Sequence, residues 1–418
     1  MSNTLNLGTD GNWAVKKDSL LGYNSENGNF KPLPFNFTRA SSATVVNKDG
    51  LIEIVGSGEP RIDFKDDVKG ALLLEPTRSN LITYSEAFDN AYWTKSGASV
   101  TSGQLSPKGD LSAFKVVESA SAGVHRVIAT SISSTNGSLY TLQIFAKAED
   151  RNWLHFIDNL GGDASSVFVD LENGVFGTIG LNVSNTSITS LVDGWKKITF
   201  TVPAQTTTIQ MQLRVSTGNN VTSYTGNGTS GIYIYGAQLE QGSYPTSYIP
   251  TQGSAVTRVA DVAVKTNIST NIISSSYPFT MYVESENIVG NRYAFCFLNS
   301  SVSNNYFNVF VDNDNIVKSE SRANGTTENI ISGVTLTNGQ RFKAAFTMEN
   351  ATSGKLSVNG NIVSKTNFAN QSTNVDINDL LIGQLRVISD IGERLPIYDA
   401  RVYNTALTDS ELQALTTI

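Results

Sequence analysis

Three short runs bring together side chains able to grip a polar, ring-shaped ligand. In Trp153-Leu-His-Phe-Ile157, Trp153 and His155 share one parity and Leu154 and Phe156 the other, so in a strand the indole and imidazole fall on one face. Gln210, Gln212 and Arg214 alternate with Ile209, Met211, Leu213 and Val215 in the same way, and Tyr233 and Tyr235 interleave with Ile232 and Ile234. If these faces belong to one sheet surface, they form a platform suited to a sugar. The C–H faces of the ring pack on aromatics, while amide and guanidinium groups satisfy its hydroxyls. The competing reading is that the tyrosines and Trp153 pack around a sandwich or bury against a neighbouring module.

Other chemistries are less well supported. Val311-Asp-Asn-Asp-Asn315 offers oxygen ligands for calcium through Asp312 and Asp314, but it lacks the glycine and terminal glutamate of an EF-hand loop. Asx turns between strands account for the run more simply. Glu284-Ser-Glu286 places two carboxylates on one strand face, the residue type that glycoside hydrolysis requires, and a solvated strand end explains them equally. His125 and His155 are the two histidines, and neither lies in a nucleophile motif. Formal net charge is −7 with no basic run interleaved with aromatics, which argues against nucleic acid. The first residues lack the basic and apolar regions of a secretory signal, and no apolar run approaches the ~18 residues of a spanning helix, so membrane insertion is not expected. Cys296 is the single cysteine. An intrachain disulfide is therefore excluded, cytosolic assembly fits, and core filling is its expected role.

The elements that must position these residues are strands. The chain has 418 residues, of which 39% are hydrophobic and 16% charged, and at roughly 100–200 residues per domain it should hold two or three domains. Abundant Asn, Ser, Thr and Gly favour turns and strands over helices. The expected class is all-β: a loop-rich module over residues 1–80, then antiparallel sandwiches over 81–250 and 255–418. Ala43–Val46 and Leu51–Val55 should form a hairpin around Asn47-Lys-Asp-Gly50. Tyr140, Leu142, Ile144 and Ala146 should face a core, as should Ile198, Phe200 and Val202, and Trp93 and Trp195 belong in cores or seams. Pro245 and Pro250 should end the strand after Tyr235, making 236–253 a rigid exposed connector between sandwiches. Thr408 and Glu411 form a capping box for a short terminal helix.

The tail Arg401-Val-Tyr-Asn-Thr-Ala-Leu-Thr-Asp-Ser-Glu-Leu412 resembles the closing strand and helix of concanavalin A-like (laminin G-like) jelly rolls. That family includes lectins, glycosidases and virion adhesins, and its catalytic E-x-D-x-x-E pattern is missing from this sequence. Phe37-Thr-Arg-Ala-Ser-Ser-Ala-Thr44, Pro60-Arg-Ile-Asp63, Leu73-Leu-Glu-Pro-Thr-Arg-Ser-Asn-Leu81 and Tyr248-Ile-Pro-Thr-Gln-Gly-Ser-Ala-Val-Thr-Arg258 are similar to segments recurring in bacteriophage head-spike, head-fibre and tail-fibre proteins. The resemblance implies a structural, non-enzymatic protein of a tailed phage, made in the host cytoplasm and displayed on the virion surface. Its N-terminal module would contact other virion proteins, and its sandwiches, one of them like a carbohydrate-binding module, would hold host-surface glycans, with multivalency strengthening weak contacts. A homotrimer is implied by the family, although no heptad repeat specifies one. A capsid decoration protein that binds no sugar, and a polysaccharide depolymerase, stay open as alternatives.

Overall fold

Period-two alternation resolves into antiparallel sheets throughout the chain. The computed structural model describes residues 5–23, 28, 34–268, 277–287, 292–298, 305–323, 326–368, 378–383 and 395–418. The side chain of Cys296 lies outside the described residues. Backbone contacts divide the chain into two units, one made of Met1–Ser42, Val55–Thr77 and Val259–Ile418, the other of Ala43–Ile54 and Arg78–Arg258.

The second unit is a sandwich of two six-stranded sheets. One has the order Trp93–Ser96, His125–Ala129, Met211–Ser216, Trp153–Asp158, Ser166–Asp170 and Val175–Ile179. The other has the order Ala98–Gln104, Ala113–Glu118, Gly231–Gln241, Leu139–Lys147, Lys196–Pro203 and Ser184–Ser190. Leu142, Ile144, Ile198, Phe200 and Ile234 from the latter meet Leu154, Phe156, Val127, Leu213 and Val215 from the former in one core, as the alternation predicts. Trp93 and Trp195 are buried as expected.

Two expectations about this unit need correction. The strand does not end at Gly236 but runs from Gly231 to Gln241. It passes Gly236 through a register shift, where φ is +60° and a Cβ would lie 2.9 Å from the Phe145 ring, a position only glycine tolerates without strain. Residues 242–253 are not an exposed connector either. Tyr244, Thr246, Tyr248 and Ile249 are buried, because polar side chains of the strand itself hold the returning chain. Glu240 accepts from the Thr246 amide at 2.9 Å and Gln238 from the Ile249 amide at 2.6 Å. Asn80 donates to the carbonyls of Ala237 and Ile249. The hairpin Ala43–Val46 and Ile52–Val55 forms as expected, with Asn47 Oδ1 accepting from the amides of Asp49 and Leu51.

The first unit contains a second pair of sheets, and the N-terminal residues belong to it. Leu5–Leu7 pairs with Leu395–Tyr403, Ala71–Leu74 pairs with the same strand, and Pro34–Thr38 pairs with Val262–Lys265. Leu5, Leu7, Phe35, Phe37, Leu72 and Leu74 share a core with Phe279, Met281, Phe346 and Val402. Residues 1–80 are therefore not a separate module: most of them complete the C-terminal sandwich, extending both of its sheets, and the Ala43 hairpin belongs to the other unit. Edge strands left uncovered would invite mispairing, which this arrangement limits. The helix Asp409–Thr416 follows with the capping box of Thr408 and Glu411 in place.

A fully buried ionic cluster ties the N-terminal strands in. Arg39 Nη1 lies 2.9 Å from Asp261 Oδ1, Arg61 Nη1 lies 2.7 Å from Glu75 Oε2, and Arg61 also pairs with Asp261; all four side chains are inaccessible to solvent. Arg39 donates further to the carbonyls of Ser41, Gly56 and Glu59. Removing one partner leaves a buried charge uncompensated, which typically costs about 3–5 kcal/mol. Asp261→Ala should therefore lower unfolding free energy by about that amount in denaturant titrations. Asp67→Ala, which breaks a solvent-accessible pair with Arg341, should cost about 1 kcal/mol or less. Equal effects of the two substitutions would show that the buried cluster is not a keystone.

Candidate functional site

The outer face of the sheet containing Trp153 gathers the polar side chains that the core excludes. Because Leu154, Phe156, Leu213, Val215 and Val127 point inward, Trp153, His155, Gln212, Arg214 and Arg126 point outward. The registers line them up in rows. Ser96, Arg126, Arg214, His155 and Phe168 are successive cross-strand neighbours on five strands. The next row holds Thr94, Ile128, Gln212, Ile157 and Ser166, and Trp153 lies opposite Ser216 and Asp170.

Side chains in this face are unevenly satisfied. His155 stacks on Phe168, with ring centroids 4.0 Å apart and planes 9° from parallel. It is fully buried, and neither ring nitrogen has a hydrogen-bond partner. Gln212 is equally buried; its Oε1 accepts from Arg214 Nε while its Nε2 has no partner. Arg126 Nε is also buried and unpartnered. Burial, reinforced by the Arg214 charge, pulls the His155 imidazole down to about 3, so it is neutral at physiological pH. Burial also lowers the Arg214 guanidinium, Arg126 adds to that, and Asp163 opposes it.

One end of the face is closed by a loop. Asn219 Oδ1 accepts from the Thr178 amide at 2.8 Å, joining the turn after Met211–Ser216 to the edge strand Val175–Ile179. A Cβ on Gly177 would lie 2.4 Å from Asn219 Oδ1 and 2.8 Å from the Trp153 ring. The bare glycine thus lets the indole and the amide approach over the edge strand, leaving Trp153 half-buried.

The expected platform is only partly assembled. Trp153, His155, Gln212 and Arg214 meet on one surface. Gln210 precedes that strand and serves as a tie: its Nε2 donates to Ala129 O and Ser131 Oγ, and its Oε1 accepts from Asn159. Tyr233 and Tyr235 stand on the opposite sheet, in the strand Gly231–Gln241, so they cannot join this face. Tyr235 is buried among Phe145, Trp195 and Tyr248 and donates to Glu86 at 2.6 Å; burial and the adjoining acidic groups raise its hydroxyl. Arg126 and Phe168 escaped the sequence reading, since a single outward arginine on a short strand carries no signal until register places it beside Arg214.

The acidic candidates of the other unit are engaged within the protein. Asp312 Oδ1 accepts from the amides of Asp314 and Ile316 and the carboxylate pairs with Lys318. Asp312 and Asp314 therefore form a turn rather than a calcium site. Among the described residues no group of three His, Cys, Asp or Glu side chains is placed to hold a metal. Glu284 pairs with Arg341 at 2.8 Å and Glu286 accepts from the Tyr398 hydroxyl at 3.1 Å. Both border a strongly charged surface where a cleft of about 520 Å³, lined by Asp67, Tyr282, Glu284, Arg341, Tyr398 and Arg401 among others, has its arginines matched to carboxylates.

Residues 257–413 match the family described as the Concanavalin A-like lectin/glucanases superfamily, and the closing strand and helix fall inside that match. Comparison with curated proteins gives no match. Among solved structures, similarity is found to the CBM40 of Ruminococcus gnavus IT-sialidase bound to α2,3-sialyllactose, at 16% identity and a TM-score of 0.30, covering 34% of this chain and 83% of that one. The receptor-binding domain of botulinum neurotoxin C/D mosaic serotype is similar at 14% identity and a TM-score of 0.30, covering 37% and 40%. A heptameric SAP-like pentraxin from Limulus polyphemus is similar at 15% identity and a TM-score of 0.28, covering 32% and 68%.

A neutral buried histidine makes stability depend on pH. The unfolded chain binds a proton at His155 near pH 6.5 whereas the folded chain does so only near pH 3. Its contribution is therefore complete above pH 6.5 and declines by up to about 1.4 kcal/mol per pH unit as pH falls toward 3. Melting curves of wild type and His155→Phe between pH 7 and 4 should show a shallower decline in the variant. Parallel declines would mean that His155 is not held neutral.

Proposed function

We propose that this chain is a non-enzymatic glycan-binding protein whose ligand rests on the outer face of the sheet containing Trp153. The observation that carries this reading is the set of unsatisfied donors there: the His155 nitrogens, Gln212 Nε2 and Arg126 Nε, beside a half-buried indole. Buried polar groups without partners are destabilising, and natural proteins keep them mainly where a ligand or water completes them. A sugar supplies both hydroxyls for such donors and an apolar ring face for Trp153. The second unit, with its match to a family of lectins and glucanases, supports the same class of ligand.

The setting we infer is the surface of a tailed bacteriophage, as a head or tail fibre or spike bearing on host glycans and contacting other virion proteins. The four recurring segments support it, and three of them have a structural role: Arg39, Arg61 and Glu75, with Asp261 just beyond the fourth, build the buried ionic cluster.

Glycan-array binding by the full chain tests the ligand reading. Trp153→Ala and Arg214→Ala should each weaken binding by about tenfold or more, equivalent to about 1.4 kcal/mol, while Tyr233→Ala on the other sheet should not. Loss in Tyr233→Ala alone would move the site, and no binding to any glycan would leave the decoration role. Release of reducing sugar from bound glycans would overturn the non-enzymatic reading. Antibody against residues 257–413 should label the surface of intact particles; particles lacking the epitope would refute the virion setting.

A further inference from the structure

We infer that the glycan held on this face is acidic, and that the paired guanidinium groups of Arg126 and Arg214 receive its carboxylate. The inference rests on the glycan-binding reading above and adds the charge of the ligand and a residue, Arg126, to the site. Arg126 and Arg214 are direct cross-strand partners with outward parity, and like charges so placed repel. No ion pair relieves either of them among the described residues. Elsewhere in the chain Arg39, Arg61, Arg151, Arg341 and Arg401 each face a carboxylate within 4 Å. In a protein of net charge −7, with carboxylates to spare, two adjacent half-buried arginines left unmatched mark a place where the counter-charge comes from outside.

The neighbours suit a carboxylated sugar rather than a free inorganic anion. Guanidinium is planar and binds carboxylate in a two-pronged fashion, and Arg214 has its Nε fixed by Gln212, which orients the remaining donors. His155, neutral and buried beside Arg214, adds no third positive charge, and Gln212 Nε2 supplies an uncharged donor. Trp153 sits one step further along the His155 strand on the same face, so charge recognition and ring packing lie side by side. A small anion would use the first feature and leave the second without a partner.

The test uses the full chain on an array that prints neutral oligosaccharides, carboxylated ones including hexuronates, sulfated ones, and the carboxylated set after conversion to amides. The expected result is that binding concentrates on carboxylated glycans, disappears on amidation, weakens with rising salt, and falls by about tenfold or more in Arg126→Gln, with Arg126→Lys intermediate because the charge stays and the fork is lost. A structural role for Arg126 would lower stability when it is replaced. Relief of the like-charge contact instead predicts a melting point unchanged or raised by about 1–3 °C in Arg126→Gln. Binding confined to neutral or sulfated glycans, or insensitive to Arg126→Gln, would overturn the inference while leaving the glycan-binding reading intact. Silence across the whole array would overturn that reading itself.

Discussion

A guanidinium group out of reach of water must be met by carboxylate, and that requirement organises the unit to which residues 1–42, 55–77 and 259–418 belong. Asp261 receives both Arg39 and Arg61, and Glu75 takes the second arm of Arg61. These residues sit beside strands far apart in sequence, so the strands must come together or the charges are stranded. Apolar burial by Phe35, Phe37, Leu72 and Leu74 supplies the larger energy. The ionic cluster supplies the register, because a one-residue slip would turn each charged side chain to the opposite face.

The other unit shows the same electrostatics with the opposite outcome. Arg126 and Arg214 face each other with no carboxylate between them, and His155 beside them lacks any partner for its ring. A core built to this standard would be poorly made, yet the surrounding sandwich is otherwise well satisfied: Glu118 receives Arg151, Tyr224 and the Asn227 amide, and Gln238, Glu240 and Asn80 are each matched. Unsatisfied groups confined to one face of one sheet point to a surface kept ready for contact rather than to general looseness.

Parity carried most of what could be read in the residues alone. Tyr140, Leu142, Ile144, Ile198 and Phe200 were legible as core because alternation has period two, and Thr408 with Glu411 was legible because a capping box is local chemistry. Trp153, His155, Gln212 and Arg214 were legible as a shared face for the same reason. What parity cannot carry is which strand lies beside which. Tyr233 and Tyr235 have a suitable alternation but belong to the opposite sheet, and Arg126 became visible only through its pairing with Arg214. The prolines at 245 and 250 were read as marking an exposed connector, whereas Gln238 and Glu240 bind the returning segment down. Residues 1–80 looked like a module because they precede the better-marked strands; their partners are hundreds of residues away.

That last feature bears on how the chain can be made. Leu5–Leu7 pairs with a strand ending at Tyr403, and Pro34–Thr38 waits for Val262–Lys265. During synthesis, all of the residues from Ala43–Ile54 and Arg78–Arg258 are present once Arg258 has emerged, while the N-terminal strands still lack their neighbours. The inserted sandwich can therefore close first, and the loops enclosing it draw the two ends of the host sandwich together only when translation is nearly finished. Until then Leu5, Phe35 and Phe37 are apolar strands without a sheet. A ribosome pausing late in the message, or a truncated product, would release a chain with one finished body and one set of sticky edges.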